Sequence, residues 1–193
     1  EGRTAAPILD PQVLSNRAFV TAGVANFLSC FGLLGIVAYS PIFVQEVMGL
    51  SPAMSGSMMT PYTVIAAFIG IPAGLLLART GRYKWMYLVG YTIVTLCLLA
   101  MWRFTAATPI WVFVLLTAVA GVGLGTTVTL NTLVAQLAVP RRLLGVAVGA
   151  MFFFQMIGLS VGPAILGIAQ NSAADLEGGL RLVFLVGAVA MAV

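Results

Sequence analysis

The stretch from Pro52 to Trp102, PAMSGSMMTPYTVIAAFIGIPAGLLLARTGRYKWMYLVGYTIVTLCLLAMW, decides the fold. Neither Pro52 to Ala78 nor Trp85 to Trp102 contains a charged residue, and the turn between them carries Arg79, Arg82 and Lys84. A hydrocarbon core of about 30 Å takes about 20 apolar residues wound as a helix. Each run is long enough to cross, and the basic turn marks where the chain leaves the apolar layer and re-enters it.

The pattern repeats on both sides. Spans read as 18–44, 52–78, 83–102, 109–139 and 143–170, with a sixth opening at Leu180. Hydrophobic residues make up 61% of the 193-residue chain and charged residues 7%, so its solvent is lipid over most of its surface. Only helices or a closed barrel satisfy the backbone there. The runs are too long and too continuously apolar for barrel strands, which predicts an all-α, polytopic helical bundle.

Charge orients it. Arg3 and Arg17, then Arg79, Arg82 and Lys84, then Arg141 and Arg142 fall on one side; Arg103 and Arg181 fall on the other with Glu46, Asp175 and Glu177. Cations are held on the cytoplasmic side, so the expectation is a multi-pass protein of the cell membrane with residue 1 inside. A net charge of +4 could otherwise signal nucleic-acid binding. Here the cations sit in short turns between spans, and no nucleic-acid partner is expected.

Residues 1–17 read as a cytoplasmic linker carried in from an upstream segment, and 18–193 as a transmembrane bundle whose last helix stops after about 14 residues, short of a crossing. The chain is thus expected to be part of a longer protein. Cys30 and Cys97 lie inside spans, where a thiol acts as a small apolar group, so no disulfide is expected. The chain lacks His, and nothing in it suggests a metal site, a cofactor or an enzyme's nucleophile–base pair.

Six crossings divide into two triplets facing opposite ways, the arrangement that transporters nest inside each six-helix half. In the fourth span Gly121, Gly125, Thr129, Thr132 and Gln136 share about 80° of arc, a stripe suited to close packing or to water. Asn131 lies on another face with Thr127, deep enough to need a partner. In the fifth, Gly145 and Gly149 make one small-residue step, while Gln155, Gly158 and Gly162 share another face ahead of Pro163, which allows a bend. Asn26 and Ser29 in the first span and Tyr62 in the second add isolated hydrogen-bonding groups. Gln155, Asn131, Asn26, Ser29 and Tyr62 are the candidates for lining a substrate pathway. Gly121, Gly125, Gly158, Gly162 and Pro163 are the candidates for packing or flexing.

The turn Gly74-Leu75-Leu76-Leu77-Ala78-Arg79-Thr80-Gly81-Arg82-Tyr83-Lys84 resembles the G-x-x-x-D-R-x-G-R-[KR] signature of the major facilitator superfamily, with Ala78 where the acid stands. The stretches from Leu9 to Phe19, Tyr39 to Pro52, Gly121 to Gly125, Ala135 to Pro140 and Leu144 to Ala147 resemble the second half of fourteen-span drug:proton antiporters of the EmrB/QacA type. The resemblance implies a C-terminal six-helix half, working by alternating access with the N-terminal half of the same protein. Its substrate would be a small amphipathic molecule and its coupling ion a proton. It also implies that Gly74, Arg79, Gly81, Arg82 and Lys84 form a gating turn, here without its acid and so weighted toward topology. Proton coupling needs an intramembrane group that titrates. Glu46 sits at an outer helix end, so the coupling acids are expected in the other half. A transporter of another solute (sugar, metabolite or siderophore) and a non-transporting helical domain are the alternatives.

Overall fold

The computed structural model describes residues 16–173 and 175–192. Most of the 1–17 linker, including Arg3 and the Leu9 to Ser15 part of the lead-in, lies outside the described residues, as does Val193. The described residues form six helices and no strand: α1 (Arg17–Val47), α2 (Pro52–Thr80), α3 (Tyr83–Trp102), α4 (Ile110–Leu137), α5 (Leu144–Asn171) and α6 (Leu176–Ala192). The first five are long and apolar enough to cross a membrane. This is a polytopic helical membrane bundle.

Local chemistry sets the helix ends. Asn16 Oδ1 accepts from the N–H groups of Ala18 and Phe19 at 3.0 and 3.4 Å, and its Nδ2 donates to the Ala138 carbonyl at 2.6 Å. One side chain thereby caps α1 and ties its start to the end of α4. Ser51 caps α2 ahead of Pro52, and α2 ends at Gly81, whose φ of 62° is the left-handed conformation that glycine adopts without steric cost. The sixth helix opens at Leu176, a turn before the apolar run starting at Leu180, because the Asp175 carboxylate accepts from the Gly178 N–H at 3.0 Å.

α1 is not uniform. It widens into π-helix over Gly35–Tyr39 and again over Phe43–Val47, on either side of Pro41. Proline has no N–H to continue the ladder and its ring crowds the carbonyl one turn back. A wider turn relieves both, and the Ser40 hydroxyl donates to the Gly35 carbonyl at 3.4 Å.

The triplets α1–α3 and α4–α6 exchange partners. α2 packs along α4 as α5 packs along α1, α3 packs on α4 as α6 packs on α1, and α1 meets α4 in the centre. Such a swap follows from a pseudo-two-fold relation between inverted repeats. It is incomplete: α5 also packs extensively on α6, whereas α2 and α3 barely touch beyond their turn. Two apolar cores result. One holds Phe31, Phe43, Leu98, Phe113, Leu124 and Phe184; the other, toward the basic turns, holds Phe19, Ala22, Leu77, Leu130, Val134 and Met151. Outside them, Trp85, Trp111 and Ile168 are exposed apolar side chains suited to lipid.

Candidate functional site: a buried polar layer across four helices

Lipid gives helices no hydrophobic reason to associate, so close contact depends on small residues and polar links. A Cβ on Gly121 would lie 2.8 Å from the Tyr62 carbonyl, one on Gly125 2.6 Å from the Ala66 carbonyl, and one on Gly70 2.8 Å from Thr129 Oγ1. These contacts lay α2 against α4 backbone to backbone. Gly123 does the same for α3, with a Cβ there 2.9 Å from the Gly90 carbonyl. Gly158 and Gly162 seat α5 on α1: a Cβ on the first would lie 2.9 Å from the Phe27 carbonyl oxygen and one on the second 2.5 Å from Leu34 Cδ1. Gly145 and Gly149 behave otherwise, with nothing within 4 Å of either. The buried stripe of α5 runs through Ala147, Met151, Gly158, Gly162 and Leu166, which turns that small-residue step outward.

Between the two cores lies a polar layer. Along α1 it falls at Asn26 and Ser29, between Ala22 of one core and Phe31 of the other; along α4 it falls at Thr127 and Asn131, between Leu124 and Val134. Asn131, 1% exposed, donates Nδ2 to Asn26 Oδ1 and to Ser29 Oγ, both at 3.3 Å. Asn26 donates its own Nδ2 to the Met151 carbonyl at 2.9 Å. Ser29 Oγ and Tyr91 Oη are 2.6 Å apart, and both reach the Ala25 carbonyl, at 2.7 and 2.8 Å. Four helices are thereby joined, α1, α3, α4 and α5, through neutral groups only. A hydrogen-bonded network of this kind at membrane depth, in which Asn131 Oδ1 alone lacks a partner among the described residues, fixes helix rotation and register.

The structure therefore brings together three of the residues singled out in the sequence, Asn26, Ser29 and Asn131, and adds Tyr91 and Tyr87, which sequence reading passed over. Their signal was present: Tyr83, Tyr87 and Tyr91 recur every fourth residue and so share one face of α3. Tyr87 and Tyr91 stack with ring centroids 5.8 Å apart. Gln155 stands apart. It is half-buried on α5, its backbone carbonyl accepts from Cys30 Sγ at 3.5 Å, and its side-chain amide has no hydrogen-bond partner among the described residues. Tyr62 is buried in the α2–α4 contact opposite Gly121, roughly 15 Å along α4 from Asn131 at the usual helical rise. Pro163 lies within α5, which stays helical through it.

In the basic turn, Arg79, Gly81, Arg82 and Lys84 are exposed, Thr80 Oγ1 accepts from the Arg82 N–H at 3.4 Å, and Gly74 faces Leu133 of α4. A cavity of about 700 Å³ opens near this end. Its walls come from α1 (Thr21, Ala25, Leu28), from Tyr87 and Tyr91, and from Ala190 to Ala192 at the last described turn of α6, with Arg17 and Lys84 among its few charged groups. At the opposite end Arg181 donates Nε to the Phe104 carbonyl at 2.6 Å and pairs with Glu177, pinning α6 to the α3–α4 loop.

A helical membrane bundle of two partner-exchanging triplets is the arrangement of inverted repeats found in secondary transporters. Residues 2–163 match the Major Facilitator Superfamily, and the chain belongs to that family. It is similar to an uncharacterised MFS-type transporter of Mycobacterium tuberculosis, at 32% identity over 86% of this chain and 24% of that protein. It is also similar to a tetracycline resistance determinant of Streptomyces rimosus (35% identity, 88% of this chain and 50% of that protein). A third relative is the multidrug transporter protein MdtP of Bacillus subtilis, at 27% identity over 89% of this chain and 32% of that protein. The chain thus spans half or less of the length of these curated relatives, whose names denote transporters and resistance determinants rather than enzymes.

Proposed function

We propose that the chain is the C-terminal half of a secondary active exporter of small amphipathic molecules, of the fourteen-span drug:proton antiporter type. In this reading it works by alternating access against the N-terminal half of the same protein, in the cell membrane, with its basic turns in the cytoplasm. The observation that carries it is the open face of α2 and α5, the two symmetry-related helices that are least buried. Phe68 and Ile71 on α2, and Phe152, Phe153 and Met156 on α5, leave a broad apolar surface with few polar groups, as an amphipathic ligand or a facing bundle requires. Gln155, with its amide uncommitted, is the substrate contact in this reading. The names of the tetracycline-resistance and multidrug relatives support efflux.

Proton coupling would draw on the other half. The acids among the described residues, Glu46, Asp175 and Glu177, lie away from the basic turns and outside the polar layer. Arg79, Arg82 and Lys84, lacking a partner acid at Ala78, serve orientation. Drug-susceptibility profiles of cells making the intact protein and its Gln155→Ala variant test the reading. Resistance to at least one amphipathic compound, narrowed or lost in the variant, is expected. Unchanged resistance to every compound removes Gln155 from the site, and no resistance with the wild type points to another solute.

A further inference from the structure

α2 and α3 separate as soon as they leave their turn. The wedge between them opens as a groove of about 320 Å³, lined by Leu76 and Thr80 of α2, Arg82 of the turn, and Trp85 and Met86 of α3. It lies off the face of α2 that carries Phe68 and Ile71. At 100° per residue, Leu76 stands about 80° round the helix from the first and about 140° from the second. Beyond Trp85, the exposed side chains of Val89 and Leu96 continue the apolar surface along one face of α3. Trp85 to Leu96 covers about 17 Å at the usual helical rise, close to the hydrocarbon depth of one leaflet.

The mouth of this groove is cationic and uncompensated. Arg79, Arg82 and Lys84 are exposed, and none of the three makes an ion pair among the described residues. Ala78 leaves the turn without an acid, and the acids among the described residues, Glu46, Asp175 and Glu177, lie at the opposite end of the bundle. The Arg82 N–H donates to Thr80 Oγ1 at 3.4 Å, which fixes the backbone from which the guanidinium reaches the groove.

We propose that the groove binds one anionic glycerophospholipid of the leaflet it faces. The phosphate pairs with the Arg82 guanidinium, and one acyl chain lies between Leu76 and Met86 and runs on past Trp85, Val89 and Leu96. A guanidinium meets a phosphate through two parallel hydrogen bonds, and an indole at the level of Trp85 suits the boundary between headgroup and hydrocarbon. A headgroup bearing an ammonium would find three cations here and no carboxylate, so net negative charge is selected. A free phosphate ion would gain nothing from the apolar walls. The ligand is a component of the membrane, and the assignment holds whichever solute the protein carries.

Quenching by brominated lipid tests the site. The intact protein, with Val89→Cys carrying a bimane label on a cysteine-free background, is reconstituted in phosphatidylcholine vesicles containing rising fractions of brominated phosphatidylglycerol or brominated phosphatidylcholine. Half-maximal quenching should need about fivefold less of the brominated phosphatidylglycerol, the attraction of one cation at the membrane surface. Arg82→Gln should abolish that preference. Lys84→Gln should keep most of it, since Lys84 lines the larger cavity and not the groove. Equal quenching by the two lipids overturns the proposal, as does a preference that Arg82→Gln leaves in place. Equal losses in the two variants also overturn it, because they would mark diffuse surface charge. So does relief of quenching by millimolar inorganic phosphate at constant ionic strength, which would make the ligand a free ion.

Discussion

Asn131 on α4 and Asn26 on α1, 105 positions apart in sequence, meet through a 3.3 Å amide–amide hydrogen bond at the level where the two apolar cores separate. Truncating one partner leaves the other buried with an unmet polar group, which costs about 1–3 kcal/mol. Asn131→Leu and Asn26→Leu should each destabilise the bundle by that amount in thermal unfolding in detergent. The double variant should lose clearly less than the sum, because the second change removes the group the first left stranded. Strictly additive losses would mean that the two residues do not act as a pair.

Gly125 and Gly149 should respond oppositely to alanine. A methyl at Gly125 would sit 2.6 Å from the Ala66 carbonyl and collide with Ile69, and backbone cannot swing aside as a side chain can. Separating α2 from α4 should cost about 1–3 kcal/mol. Gly149→Ala meets open space and should be neutral or gain up to about 1 kcal/mol from helix propensity. Unfolding midpoints of the two variants, measured side by side, check the contrast.

Arg181 should matter more than its ion pair. Both partners are about one-third exposed, so Glu177→Gln, which keeps Arg181 on the Phe104 carbonyl, should cost at most about 1 kcal/mol. Arg181→Leu removes the charge-assisted bond to that carbonyl and should cost about 1.5–3 kcal/mol. Hydrogen exchange over α6 is the suitable measurement, with faster exchange in Arg181→Leu and little change in Glu177→Gln.

The basic turns should face the cytoplasm. Thr80 is exposed between Arg79 and Arg82 and offers a labelling point. On a background without Cys30 and Cys97, Thr80→Cys should react with a membrane-impermeant maleimide only after cells are permeabilised, whereas Thr105→Cys, in the exposed turn at the other end of α3, should react in intact cells. The reverse pattern would invert the proposed orientation.

Several features of the site were legible in advance. Gly121 and Gly125 stand out as small residues on one stripe of α4. Asn26, Ser29 and Asn131 are conspicuous as polar groups in apolar runs. That they converge was not legible, since their meeting depends on how α1 and α4 are rotated about their axes. Gly145 and Gly149 show the same limit from the other side: their spacing matches that of the packed glycines, yet they face outward. Tyr87 and Tyr91 were missed because a tyrosine among apolar residues gives no sign of where its hydroxyl turns.

The sequence by itself determined that the chain is helical, that lipid is its solvent, and where its turns fall, because hydropathy and charge act on each segment through the medium it meets, independent of the rest of the chain. Only the tertiary structure decided which glycines carry a neighbour and which polar groups pair across helices. Those outcomes depend on the azimuth and register of each helix. Azimuth and register emerge from many weak contacts made at once, and no single segment encodes them.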